Sequence, residues 1–198
     1  MSRISFFGLL TLALISPSTF AHTGETTGFT AGLLHVFTGF DHLISMIAIG
    51  VWAACLTKTT QKTLLALTPV VLMCGMLIGT AFEWVSIADT GIALALILVG
   101  VLISSQMNFI GKGLVPKTAV AAFVAVFLLF HGVAHTEAFG ATPVPFAIGL
   151  MLSSGLLQMA GLVTGNWLTK QMPGTPKLIG TLVSLTGIGL ISVSVISG

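Results

Sequence analysis

The sequence predicts an all-α polytopic membrane protein, a bundle of six transmembrane helices behind a cleavable leader. Three observations predict it. Hydrophobic residues make up 55% of the 198-residue chain and charged residues 6%, with a mean hydropathy of +1.10, whereas a soluble domain carries roughly 25% charged residues. The apolar residues gather into long blocks separated by short polar or Gly/Pro-bearing connections. None of the blocks shows the dyad alternation of a barrel strand, and a helix satisfies its own backbone in hydrocarbon.

Taken in order, residues 1–21 read as a signal peptide. Arg3 supplies a positive start, Ile4 to Ile15 an apolar run, and Thr19-Phe20-Ala21 a small-x-small cleavage signal. The run is short beside the roughly 20 residues a spanning helix needs, which argues against an uncleaved first helix. Cleavage after Ala21 would leave His22 at the new N-terminus, where its α-amine and imidazole together can chelate a metal. Residues 22–198 then form one six-helix domain, with helices expected at 29–56, 64–84, 91–108, 117–138, 144–168 and 177–197. No internal repeat or extended soluble segment interrupts them.

The first helix is too long for its task. Its span rises about 40 Å against a hydrocarbon core of roughly 30 Å, so tilt or a break near Gly39 must absorb the excess. Gly75 and Gly79 in the second helix, and Gly161 and Gly165 in the fifth, have the four-residue spacing that lets helix backbones approach closely. Cys55 and Cys74 fall inside apolar segments, where sulfur packs as a small hydrophobe.

Topology follows from the lysines. Lys58 and Lys62, Lys112 and Lys117, and Lys170 and Lys177 occupy alternate connections, and all fall on one side, which the positive-inside rule makes cytoplasmic. A cleaved leader puts the mature N-terminus outside, and an even number of spans returns the C-terminus there. The expected location is a bacterial inner membrane with both termini periplasmic.

Against this apolar background, ionisable residues stand out, because charge at bilayer depth costs several kcal/mol unless paired. His35, Asp41 and His42 lie in the run HVFTGFDH of the first helix, and His131, His135 and Glu137 close the fourth. Glu83 ends the second helix on the Gly75/Gly79 ridge, and Asp89 is expected in the loop after it. Every histidine and carboxylate therefore lies in the outer half or at the centre, opposite the lysines. An isolated intramembrane histidine is often an interhelical hydrogen-bonder. Four of them with Asp41 on two helices point instead to a metal path.

Helical geometry sorts these residues. At 100° per residue His35, Gly39, His42 and Met46 share one stripe, but His35 and His42 are about 10 Å apart along the axis and read as successive stations. His131 and His135, four apart, read as a pair facing one ion. Asp41 points about 100° away from His42. Either the helix unwinds near Gly39, or Asp41 serves another helix or orients a histidine from behind. Imidazole with carboxylate suits borderline ions such as Ni²⁺, Co²⁺ or Zn²⁺. Met46 and Met107 read as packing residues.

The segments HVFTGFDHLISMIAIGVWAA and FHGVAHTEAFG resemble the two signature segments of the HupE/UreJ family of nickel permeases. The first matches at His35, Gly39, Asp41 and His42, with Val36 where the family usually has proline. The second matches at His131, Gly132, Ala134 and His135, with Thr136 where glycine is common and Glu137 as the least closely matched ligand. The resemblance covers the whole mature chain. It implies uptake of Ni²⁺, in some members Co²⁺, for hydrogenase or urease maturation. In that reading the ion is collected by His22, Glu137 and Asp89, with Glu83 facing the bundle, and passes His131/His135 and His35 to Asp41/His42.

No prosthetic group, nucleic-acid partner or ATPase subunit is expected; the sequence has no P-loop. Association with further copies of the chain is left open. Two rival classes are a membrane-embedded hydrolase of the ceramidase type, which also uses intramembrane His and Asp around Zn²⁺, and a metal-binding sensor or assembly partner. The first lacks an HExxH and an obvious general base beyond the ligands. The second lacks cytoplasmic docking surface.

Overall fold

The computed structural model describes residues 28–81, 85–105, 117–136, 142–172 and 174–197. They form seven α-helices: α1 (Phe29–Thr38), α2 (Phe40–Ala53), α3 (Lys58–Ala81), α4 (Val85–Ser104), α5 (Lys117–Ala134), α6 (Pro143–Gln171) and α7 (Thr175–Ser197). There is no strand among the described residues. The expected leader and its cleavage site, His22, Glu83, Met107, Lys112 and Glu137 lie outside the described residues.

Segments Lys58–Ala81, Ile87–Ser104, Pro143–Gln171 and Thr175–Val193 are each long and apolar enough to cross a membrane. α1 and α2 pass the same test only together, with an 83° bend between them. Over Ala122–Ala134, α5 is a shorter apolar helix. Length and composition of the described residues thus give four spans, or five with the bent pair, where the sequence predicts six.

The first expected helix is broken at Gly39, whose backbone is extended (φ −87°, ψ 111°). α1 ends there, with the Gly39 N–H and the Thr38 hydroxyl both donating to the His35 carbonyl. α2 restarts at once, the Leu43 N–H donating to the Gly39 carbonyl. Fourteen residues of α2 rise only about 21 Å, so the excess length is absorbed by the break. α1 turns its exposed Phe29, Leu34 and Phe37 away from the bundle.

Two helix starts differ from expectation for local reasons. α3 begins at Lys58 instead of 64, because Thr57 caps it: its hydroxyl accepts from the Thr60 N–H at 3.4 Å. That polar first turn carries no apolar signal. α4 begins at Val85 instead of 91, so Asp89 is an exposed helical residue and not a loop residue. At Gly91, where the expected helix begins, the Phe130 ring lies where a Cβ would be. The glycine serves packing there.

Glycines set the helix pairs. A Cβ on Gly32 would strike the Phe146 carbonyl, one on Gly50 the Gln158 carbonyl, and one on Gly161 the Ile47 carbonyl, so α1 and α2 lie tightly along α6. Gly75 and Gly132 approach each other across α3 and α5, with Gly79 against Thr136, and Gly100 meets Gly180 and Ser184 across α4 and α7. The expected small-residue ridges at Gly75/Gly79 and Gly161/Gly165 therefore are packing surfaces. Residue order in these contacts makes α2 and α6 parallel, α3 and α5 parallel, and α4 and α7 antiparallel. The helices from α2 onward consequently alternate in direction. The starts of α3, α5 and α7 and the end of α6, with Lys58, Lys117, Lys177 and Lys170, share one end of the bundle, and His35, Asp41, His42 and His135 the other. Cys74 points outward and Cys55 is half-buried; both are free thiols.

Candidate metal centre

The break at Gly39 builds the site. Because α1 turns through 83°, His35 is no longer about 10 Å along a straight axis from His42; the two rings are 5.9 Å apart, centroid to centroid. Gly39 is not required by its backbone angles, which any residue adopts. It is required by space, since a Cβ there would lie 2.8 Å from the His42 ring. His35 is further held edge-on against Phe146 of α6 at 5.6 Å.

The third imidazole comes from the end of α5. There the helix tightens: the His135 N–H donates to the Gly132 carbonyl and the Thr136 N–H to the Val133 carbonyl, three residues back instead of four. Thr136 locks this turn, its hydroxyl donating to the Val133 carbonyl at 2.7 Å and approaching the Met76 carbonyl of α3 at 3.5 Å. His135 swings off the His131 face as a result. Its ring lies 4.8 Å from that of His35 and 4.4 Å from that of His42, but 6.2 Å from that of His131.

His35, His42 and His135 therefore form one group whose potential ligand atoms all lie within 4.8 Å of one another, each buried. This corrects two sequence expectations. His35 and His42 stand together in one group instead of about 10 Å apart, and the rings nearest His135 are those of the broken-helix pair instead of His131. Imidazole nitrogens bind at about 2.0–2.1 Å from an ion, so two of them on one ion stand at most about 4 Å apart. Donor atoms within 4.8 Å of one another are thus near the spacing that one ion requires.

His131 lies inward of the group, fully buried, its ring stacked on Phe127 at 5.0 Å and 5.1 Å from that of His42. Neither of its ring nitrogens has a hydrogen-bond partner among the described residues, and neither has the Ser45 hydroxyl. Leaving such a group bare costs about 1–3 kcal/mol, a cost that water or an ion relieves.

Asp41 stands at the rim, its carboxylate 3.4 Å from His42 Nδ1 with 24% of the side chain exposed. The contact is not aligned as a hydrogen bond. The C-terminal end of α1 and the N-terminal end of α2 meet here, so their partial charges of about −0.5 and +0.5 largely offset. Asp41 then sets a carboxylate beside the imidazoles, a donor set suited to a cation. Of the remaining expected ligands, Asp89 is exposed on α4, and Glu83, Glu137 and His22 lie outside the described residues. The sequence reading passed over Ser45, Phe127, Phe146 and Gln158. Of these, only Gln158, an amide in the middle of an apolar helix, carried a signal that could have found it.

Apolar helices packed around buried imidazoles at a broken helix, with a carboxylate at the rim, define a helical membrane protein with a candidate intramembrane metal site. The chain belongs to the HupE/UreJ family, whose model, described as HupE / UreJ protein, matches residues 10–190 and so includes every residue of the site. Among curated proteins, Protein HupE of Rhizobium leguminosarum bv. viciae is 31% identical over 125 residues, a match covering 62% of this chain and 62% of that protein. The chain thus spans less than two thirds of that relative's length. No solved structure matches.

Proposed function

We propose that this protein is a permease that takes up a divalent transition-metal ion, Ni²⁺ first and Co²⁺ second, to supply maturation of a metalloenzyme such as hydrogenase or urease. One observation carries the reading: three buried imidazoles from three chain segments with donor atoms within 4.8 Å, beside Asp41. Family membership supports it. The ion is substrate and the protein is not an enzyme. Asp41, 3.4 Å from Nδ1 of His42, is placed to orient that ring once an ion is bound, the role a carboxylate plays behind a ligating histidine. Three neutral ligands with one rim carboxylate bind a dication without enclosing it, so it is held strongly enough to shed water and weakly enough to leave.

In this reading the histidine end faces the periplasm and the lysine end the cytoplasm of a bacterial inner membrane, the positive-inside arrangement. Six spans follow a cleaved leader. In this reading His22, Glu137 and Asp89 gather the hydrated ion outside. Radiolabelled Ni²⁺ and Co²⁺ uptake by cells expressing wild type, His42→Ala and Asp41→Ala tests the reading. Uptake is expected to fall in both variants; unchanged uptake at equal membrane abundance removes it. Because three histidines with an open position also describe a hydrolytic zinc centre, the purified protein is assayed on lipid amides as well. Cleavage there without metal flux in liposomes favours a hydrolase.

A further inference from the structure

Toward the lysine end from the histidines, a second polar group is buried where the permease reading assigns nothing. Met46 follows His42 by one turn on α2, about 6 Å further along. Gln158 of α6 donates from Nε2 to Met46 Sδ at 3.5 Å, and its Oε1 accepts from the Thr68 hydroxyl of α3 at 2.8 Å. All three residues are fully buried. On the α5 side lie aromatic rings, Phe127 under His131 and, further inward, Phe123 edge-on to Trp52 at 6.1 Å. Among the described residues, the buried polar side chains other than the histidines all come from α2, α3 and α6.

That polar line continues. Gln61 lies seven residues below Thr68 on the same face of α3, buried, with its Nε2 donating to the Leu56 carbonyl. Lys58 Nζ reaches both Gln61 Oε1 and Asn166 Oδ1 of α6 at the lysine end, at 3.3 and 3.5 Å. A simple interhelical tie accounts poorly for the upper group. A thioether is a weak acceptor, so Met46 is a poor choice for anchoring a buried amide. Nearby Ser45 and His131 carry polar atoms that no described residue satisfies. The atoms of Met46, Gln158 and Thr68 are themselves paired, the Thr68 hydroxyl also lying 3.0 Å from the Leu64 carbonyl, so the unused polar capacity is that of the adjoining Ser45 and His131.

We propose that Met46 Sδ, Gln158 Oε1 and Thr68 Oγ1 form a second metal station, through which the transported ion passes between the histidines and the lysine end. The inference rests on the permease reading. The station carries no charge, so it binds a dication more weakly than the histidines beside Asp41, and release runs inward. Its thioether favours borderline ions over hard ones such as Mg²⁺ or Mn²⁺. It thereby adds selectivity that imidazole and carboxylate alone do not supply.

The test uses the full-length protein in proteoliposomes, with radiolabelled Ni²⁺ and Mn²⁺ and three variants near the original volumes: Met46→Leu, Thr68→Val and Gln158→Glu. Each is also measured for Ni²⁺ affinity at the first equivalent and for thermal melting. Met46→Leu and Thr68→Val are expected to slow Ni²⁺ uptake about tenfold with first-equivalent affinity unchanged, and Met46→Leu to narrow the Ni²⁺/Mn²⁺ ratio by a similar factor. Gln158→Glu is expected to tighten a second equivalent of Ni²⁺ about tenfold or more and to slow its release. Wild-type rates and ratio in all three overturn the station. So does uptake that falls only in step with first-equivalent affinity or melting temperature, which marks a structural tie. Wild-type protein that moves no metal, or a His42→Ala variant that moves it normally, removes the permease reading and the station with it.

Discussion

The imidazoles of His42 and His135 stand 4.4 Å apart at an interplanar angle of 62°, although one belongs to the first turn of α2 and the other follows the end of α5. Two local departures from regular helix bring them together, the extended Gly39 and the tightened turn at Gly132.

His135 and His131 should therefore separate on mutation, although they are neighbours on one segment. His135→Ala removes one of three donors and is expected to weaken Ni²⁺ binding by about 100-fold or more, beyond the 10–100-fold typical of an outer partner. His131→Ala should change affinity by less than about tenfold and act mainly on transport rate. Equilibrium dialysis on detergent-purified full-length protein measures both. Equal losses would mean that both histidines hold the same ion.

Proton competition gives the second prediction. A histidine binds metal only when neutral, so protons and metal contend for the same nitrogens. Binding should therefore be strongest at alkaline pH and weaken on acidification, as protons displace the ion from the ligating nitrogens. Asp41→Asn should lower affinity about 10–100-fold at neutral pH by removing the charge beside His42. Uptake that rises steadily on acidification would point to proton-driven coupling and against simple competition.

How far the sequence carried this site is clear from its own residues. His35, Asp41, His42, His131 and His135 were all legible as polar intrusions in apolar runs, as was the strain on a first helix too long for the bilayer. Which histidines meet was not legible, because the answer depends on an 83° bend whose size no periodicity encodes. The rise of a regular helix separated His35 from His42, and its angles paired His131 with His135. Both inferences fail at the glycines where the helix stops being regular. The starts of α3 and α4 were hidden for a related reason: Thr57 caps a polar turn, and Gly91 makes room for Phe130.

Gly39→Ala tests the break directly. Alanine tolerates the extended backbone but favours helix over glycine by about 1 kcal/mol, and its Cβ would press on the His42 ring at 2.8 Å. The protein should fold with its melting temperature within a few degrees of wild type, while Ni²⁺ affinity falls about tenfold as the ring is displaced. Unchanged affinity would mean that the His42 ring has room to move without leaving the ion.

The glycines of α6 offer a paired test of how packing supports the site. A Cβ on Gly161 would run into the Ile47 carbonyl of α2, whereas one on Gly155 meets nothing within 4 Å. Both substitutions gain about 1 kcal/mol of helix propensity, so the difference between them isolates the contact. Overpacking at a backbone typically costs about 1–3 kcal/mol, and a protein of this size shifts about 2–4 °C per kcal/mol. Gly155→Ala is therefore expected to melt at or slightly above the wild-type temperature and to bind Ni²⁺ normally. Gly161→Ala should melt several degrees lower and bind Ni²⁺ more weakly, because α2 carries His42 and cannot move off α6 without taking the imidazole with it. A Gly161→Ala variant that loses stability but keeps full affinity would show that α2 yields below Met46 and leaves its first turn in place.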